Sequence, residues 1–194
     1  IATLFARLGA NLIICGRNEE KLLASETYFK SFGHEVSAHV LSIREPEAVD
    51  TFMTNAWEAF GGVDVVINNA GGQFAQAAID FKPKGWKAVI DTNLNGTWFM
   101  TQAAAKRWVN NKSKGNIINI VADIWRGMPG IAHTAAARAG VIYLTKSIAV
   151  EWAPFDIRVN CVAPGCCETT AFGQYPSEGA ASYQEANPML RSGD

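Results

Sequence analysis

The chain reads as an α/β protein built on a doubly wound parallel sheet, and three observations predict this. Apolar runs rich in β-branched residues, at 10–15, 35–41, 63–67, 117–120 and from 157 onward, alternate with stretches of helical periodicity. The stretch 115–165 is one complete strand–helix–strand unit, and such units close right-handed with their strands parallel and side by side. Finally, 194 residues with 48% hydrophobic content suffice for a single core without linkers or repeats, so 1–194 is read as one domain.

The elements follow in order. Residues 1–9 form an amphipathic helix ended by Gly9, with no strand before it. After strand 10–15, a helix over 18–32 opens on Asn18 as cap, with Glu19 and Glu20 in its first turn, where acids suit the helix dipole. Strand 35–41, helix 46–60 and strand 63–67 continue the alternation. Next comes Asn68-Asn69-Ala70-Gly71-Gly72, whose small residues let backbone approach a ligand closely. A loop over 73–84 precedes a long helix over about 85–110. Asn93 lies inside that helix, where its amide competes with backbone hydrogen bonds. It either satisfies a kink or serves a site, and the motifs downstream favour the site. After strand 117–120 and a Gly/Pro loop, a helix runs through His133, Thr134 and Arg138 to Pro154, and the strand from Ile157 ends at Pro164-Gly165. Thr134 and Arg138 stand four residues apart, so they share a face. Segment 166–190 reads as a substrate lid with a weak helix near Gln184, and nothing after it resembles a final strand.

Composition removes several function classes. A net charge of −1 and a pI near 6.4 give no basic field for nucleic acid. No apolar run is long enough to span a bilayer, so no membrane role is expected and the chain is read as cytoplasmic, with a peroxisomal address left open. Cys15, Cys161, Cys166 and Cys167 lack metal-type spacing and read as idle thiols.

With Asn68-Asn69-Ala70-Gly71, Asn93, the strand at 117–120 and the run Ile157-Arg158-Val159-Asn160 through Pro164-Gly165 in this order, the chain resembles a short-chain dehydrogenase/reductase. The resemblance implies a nicotinamide-binding Rossmann fold. By the same match, Asn69, Ala70 and Gly71 line the adenine ribose, and Pro164, Gly165 and Thr169 position the nicotinamide carboxamide. It also implies a homodimer or homotetramer, because the helices at 85–110 and 130–154 carry apolar outer faces like the family's contact helices.

The departures are informative. The family's first strand and Gly-rich phosphate turn are expected before Ile1, so the sequence reads as a fragment lacking first strand, Gly-rich turn and last strand. Neighbours of the missing strand should be left unpaired in the sheet. At the end of strand 10–15, Gly16 occupies the place of the acid that holds a ribose 2′-hydroxyl, and Arg17 follows it. A guanidinium fork suits a 2′-phosphate, which makes NADP(H) the expected cofactor.

The family's usual Ser, Tyr and Lys are replaced by Val121-Ala122, Thr134 and Arg138. Tyr143 and Lys146 lie two turns further along and read as a decoy. The pattern His133-Thr134-x-x-x-Arg138-Ala139-Gly140-Val141, with Gly71-Gly72-Gln73-Phe74, is similar to the trans-2-enoyl-CoA reductase branch and its 2,4-dienoyl-CoA reductase relatives. That similarity implies NADP(H)-dependent reduction of an α,β-unsaturated acyl thioester, a small-molecule substrate. Asn93, Thr134 and Arg138 are the expected catalytic set. Thr134 would donate to the thioester oxygen and Arg138 would grip the cofactor ribose. Two alternatives stand beside it: an alcohol/aldehyde dehydrogenase, for example on acyclic terpenoid alcohols, with a proton relay through His133 or Asp123, and a catalytically silent nucleotide-binding protein.

Overall fold

A computed structural model describes residues 1–165 and 167. Helix α1 (Ala2–Arg7) leads into strand β1 (Leu12–Gly16), helix α2 (Glu19–Lys30), strand β2 (Val36–Val40), helix α3 (Pro46–Phe60) and strand β3 (Val65–Asn68). Helix α4 (Pro83–Ile90) passes through a π turn (Asp91–Asn95) into α5 (Gly96–Asn110). Strand β4 (Gly115–Ile120), helix α6 (Ala132–Trp152) and strand β5 (Ile157–Val162) complete the described elements.

Local chemistry accounts for the boundaries. The Asn18 side chain accepts the Lys21 N–H at 2.8 Å, capping α2 as its sequence requires. Pro46 opens α3, whose end is set by Gly61 at φ 71, a left-handed conformation open to glycine at little cost. The helix expected over 85–110 begins earlier, at Pro83, because proline is preorganised for a first helical turn. It is also interrupted at Asp91–Asn95, where Asn93 turns its amide away from the helix axis.

All described strand pairs are parallel, but they form two sheets, β1-β2 and β3-β4-β5. Both strands of the first sheet and strands β3 and β5 of the second lie at sheet edges among the described residues. The core lies between β3-β4-β5 and the helices, with Phe52 and Met53 of α3, Ala104 and Trp108 of α5, Ile148 of α6 and Ile117, Ile157 and Val159 of the strands buried together. Trp108 also donates its indole N–H to the Val63 carbonyl at 2.6 Å, so the largest core side chain leaves no polar atom unmet.

A chain of buried amides and hydroxyls ties the sheet to both flanking helices. Asn68 and Asn119 are register partners on β3 and β4. Asn68 Nδ2 donates to Thr101 Oγ1 at 2.9 Å and to Asn119 Oδ1 at 2.8 Å, and Asn119 Nδ2 donates to Thr145 Oγ1 at 2.9 Å. A slip of either strand by one residue would strand these groups in an apolar interior, so the chain fixes the register on which the strand ends are aligned.

Candidate active site

Because β3, β4 and β5 are parallel, the segments after Asn68, Ile120 and Val162 emerge on one edge. Ligands of open α/β sheets bind at that edge. Helix α6 runs behind it with an inward stripe of Thr134, Arg138, Val141, Thr145 and Ile148, all buried. Thr134 and Arg138 therefore do share one face, one helical turn apart, and the face looks inward.

Three of the expected residues meet directly. The guanidinium of Arg138 lies against Gly71, where Nη2 occupies the volume that any Cβ at that position would need, and Asn93 Oδ1 borders the same volume. Asn93, 1% exposed, holds the neighbouring Gly72 by both backbone groups: its Oδ1 accepts the Gly72 N–H at 2.9 Å and its Nδ2 donates to the Gly72 carbonyl at 3.0 Å. The amide that interrupts the helix thus anchors the glycine pair. Thr97 Oγ1 donates to the Asn93 carbonyl at 3.0 Å, one turn along the helix.

Arg138 is buried, and its Nη1 has no hydrogen-bond partner. Burial pushes its pKa below the ordinary value. A buried cation with an unmet donor is costly, and an anionic or hydroxyl-bearing ligand would relieve it. The donor set therefore fits a dinucleotide's ribose.

His133 behaves differently from a proton relay. Its Nδ1 accepts the Thr134 N–H at 2.7 Å and lies 3.3 Å from Thr134 Oγ1. Its lone pair is thus used, which places the ring proton on Nε2, and Nε2 is buried without a partner. Phe74 meets the ring edge-on at 4.6 Å, and Phe81 lies tilted against it at 4.5 Å. Burial lowers its pKa, against a smaller raising effect from a backbone hydrogen bond at Ile131. Asp123 accepts the Trp125 N–H at 3.2 Å in a short turn of its own loop.

The remaining expected residues are more dispersed. Asn69 and Ala70 are exposed at the β3 end, Pro164 is half-buried and Gly165 exposed after β5. Arg17 is exposed at the end of β1, and among the described residues no hydrogen bond or ion pair engages it. Thr169 and the expected lid, apart from Cys167, lie outside the described residues. Tyr143 is 69% exposed, with Lys146 stacked over its ring at 4.6 Å, on the opposite side of α6 from Arg138. The aromatic setting of His133 escaped the sequence reading. Its one signal was Gly85 in the first turn of α4, where a Cβ would press into the Phe74 ring.

An open parallel sheet with a glycine-lined strand end and an unmet cation behind it defines a dinucleotide-binding α/β protein. The chain belongs to the short chain dehydrogenase family, whose model matches residues 1–179. It is 41% identical over 167 residues to a protein of Bacillus subtilis (strain 168) named as a probable 2,4-dienoyl-CoA reductase, covering 85% of this chain and 66% of that one. It thus spans about two thirds of that relative's length. A short chain dehydrogenase from Bacillus anthracis shares 38% identity and superposes with a TM-score of 0.89 over 99% of this chain and 76% of its own. A citronellol catabolism dehydrogenase from Pseudomonas aeruginosa PAO1 shares 35% identity, with a TM-score of 0.85 over 99% and 74%.

Proposed function

We propose that this chain carries the active site of an oxidoreductase that uses NADP(H) to reduce an α,β-unsaturated acyl thioester or a related conjugated carbonyl. The observation that carries the reading is the buried, unmet Arg138 guanidinium packed on Gly71, one turn from the buried Thr134. Arg138 holds the ribose hydroxyls without titrating. Asn69, Ala70 and Gly71 line the adenine side, and Pro164, Gly165 and Thr169 the carboxamide side. Arg17, free of partners among the described residues, takes the 2′-phosphate.

When bound, the reduced nicotinamide supplies a hydride equivalent to the β-carbon of the conjugated thioester. The charge that develops on the thioester oxygen needs a hydrogen-bond donor more than an ionisable phenol. Thr134 is that donor, its hydroxyl exchanging the 3.3 Å contact with His133 Nδ1 for the thioester oxygen. Asn93 serves by positioning the Gly71-Gly72 backbone, and the α-carbon receives its proton from water. The dienoyl-CoA reductase among the similar proteins supports the substrate class.

The alternative, an alcohol dehydrogenase relaying protons through His133 or Asp123, draws on the likeness to the citronellol catabolism dehydrogenase. Against it, His133 Nε2 is buried with no hydrogen-bond partner among the described residues, and Asp123 is exposed and turned onto its own loop. Tyr143 and Val150, 69% and 78% exposed and two turns apart on α6, favour a homodimer or homotetramer built through that outer face. NADPH oxidation by crotonyl thioesters, with no turnover of alcohols, is the expected assay result. Alcohol oxidation without thioester reduction would reverse it.

A further inference from the structure

Segment 72–81 lies across the start of α6, tied at Gly72 and at Gln76. Asn93 grips Gly72, as described, and the Gln76 N–H donates to the Gly130 carbonyl at 2.8 Å, joining the segment to the loop before α6. Between and beyond these ties runs an unbroken set of ring contacts. Phe74 and Phe81 are 5.8 Å apart, both meet His133, and Phe81 continues to Trp86 of α4 at 6.2 Å. Phe74 is seated on Gly85, where no larger residue would leave it room. The inner member, His133, is fully buried, whereas Phe74 and Trp86 at the rim are 37% and 39% exposed. The surface thus starts beside Thr134, the next residue along the chain, and rises out of the site.

We infer that Phe74, Phe81 and Trp86, propped from behind by His133, form the wall on which the apolar acyl chain of the substrate lies. This rests on the thioester reading above and adds to it the group that sets chain-length preference. The occupant follows from continuity with the site: a thioester oxygen held at Thr134 leaves its acyl chain beside the adjoining rings. Aromatic rings contribute large apolar area at little entropic cost. His133 acts here by shape. It is a positioning residue that keeps Phe74 and Phe81 upright, and its unpartnered Nε2 carries no proton to the reaction.

The test uses the protein loaded with NADP, and the unreactive saturated ligands butyryl-CoA and octanoyl-CoA, with dissociation constants from calorimetry. The wild type should bind octanoyl-CoA about tenfold more tightly than butyryl-CoA, the gain expected when four methylenes are partly covered. In Phe74→Ala the ratio should fall toward one while butyryl-CoA affinity stays within about twofold. His133→Ala should lose the ratio as Phe74→Ala does and His133→Phe should restore it by refilling the ring contacts, while the pH profile of turnover keeps its shape in both variants. An unchanged ratio in Phe74→Ala would show that the wall is covered by another part of the protein and overturn the proposal, as would a wild type without chain preference. A ratio that His133→Phe fails to restore, or a pH profile that loses a limb in that variant, would overturn the positioning role. Failure of crotonyl-CoA to oxidise NADPH would sink the thioester reaction, while the saturated ligands still decide the wall.

Discussion

Asn93 closes two hydrogen bonds on the backbone of Gly72, accepting its N–H at 2.9 Å and donating to its carbonyl at 3.0 Å. A side chain that looks misplaced inside a helix therefore sets the position of the glycine pair on which Arg138 rests. Asn93→Ala would release the exposed Gly72 backbone to water and lose two hydrogen bonds, each contributing about 0.5–1.5 kcal/mol. Chemical denaturation should register that loss, and NADPH affinity should fall with it as the Gly71-Gly72 backbone drifts from Arg138.

Gly71 makes a separate prediction, because the volume of a Cβ there is already filled by Arg138 Nη2. Gly71→Ala displaces the end of a flexible side chain, so the fold should survive with little change in thermal midpoint. NADPH affinity should nevertheless drop about tenfold, since an ångström-scale shift of the guanidinium misplaces its donors. Calorimetric titration checks this directly.

Arg17 bears on cofactor choice. Arg17→Ala should weaken NADPH binding at least tenfold and leave NADH binding nearly unchanged, because only the phosphorylated ribose gains from a guanidinium. A parallel loss for both cofactors would mean that the residue contributes to the fold or to a shared part of the site.

Cys15 on β1 gives a pH dependence. Burial pushes its thiol up to about 11, against 9.0 when solvated, so the native state favours the neutral form. Between those values the unfolded chain has released a proton that the native state retains, and stability falls as pH rises. The loss begins near the unfolded value and levels off above the folded one, reaching at most about 3 kcal/mol at ~1.4 kcal/mol per pH unit. In urea titrations, the stability of wild type relative to Cys15→Ala should fall between pH 8 and pH 11.

Much of the fold is legible because each level of the sequence points the same way. Asn18 caps α2 and Pro46 opens α3 where expected, and alternation alone yields the parallel order. The inward stripe of α6 was readable from the spacing of Thr134 and Arg138. Three things were not. The π turn at Asp91–Asn95 follows from a tertiary bond between Asn93 and Gly72, 21 residues away, which periodicity cannot register. The pairing of Asn68 with Asn119 depends on strand register. The environment of His133 depends on where segment 72–81 folds back, and a lone histidine gives no sign of two phenylalanines brought from more than fifty residues earlier.

The account turns on Arg138, a buried cation whose Nη1 waits for a ligand. Replacing it by methionine removes an uncompensated buried charge, which should hold or raise the thermal midpoint of the ligand-free protein. Titrating NADPH into wild type and Arg138→Met should then show affinity falling at least tenfold in the more stable variant. Equal affinity in the two proteins would contradict the assignment of this guanidinium to the cofactor ribose.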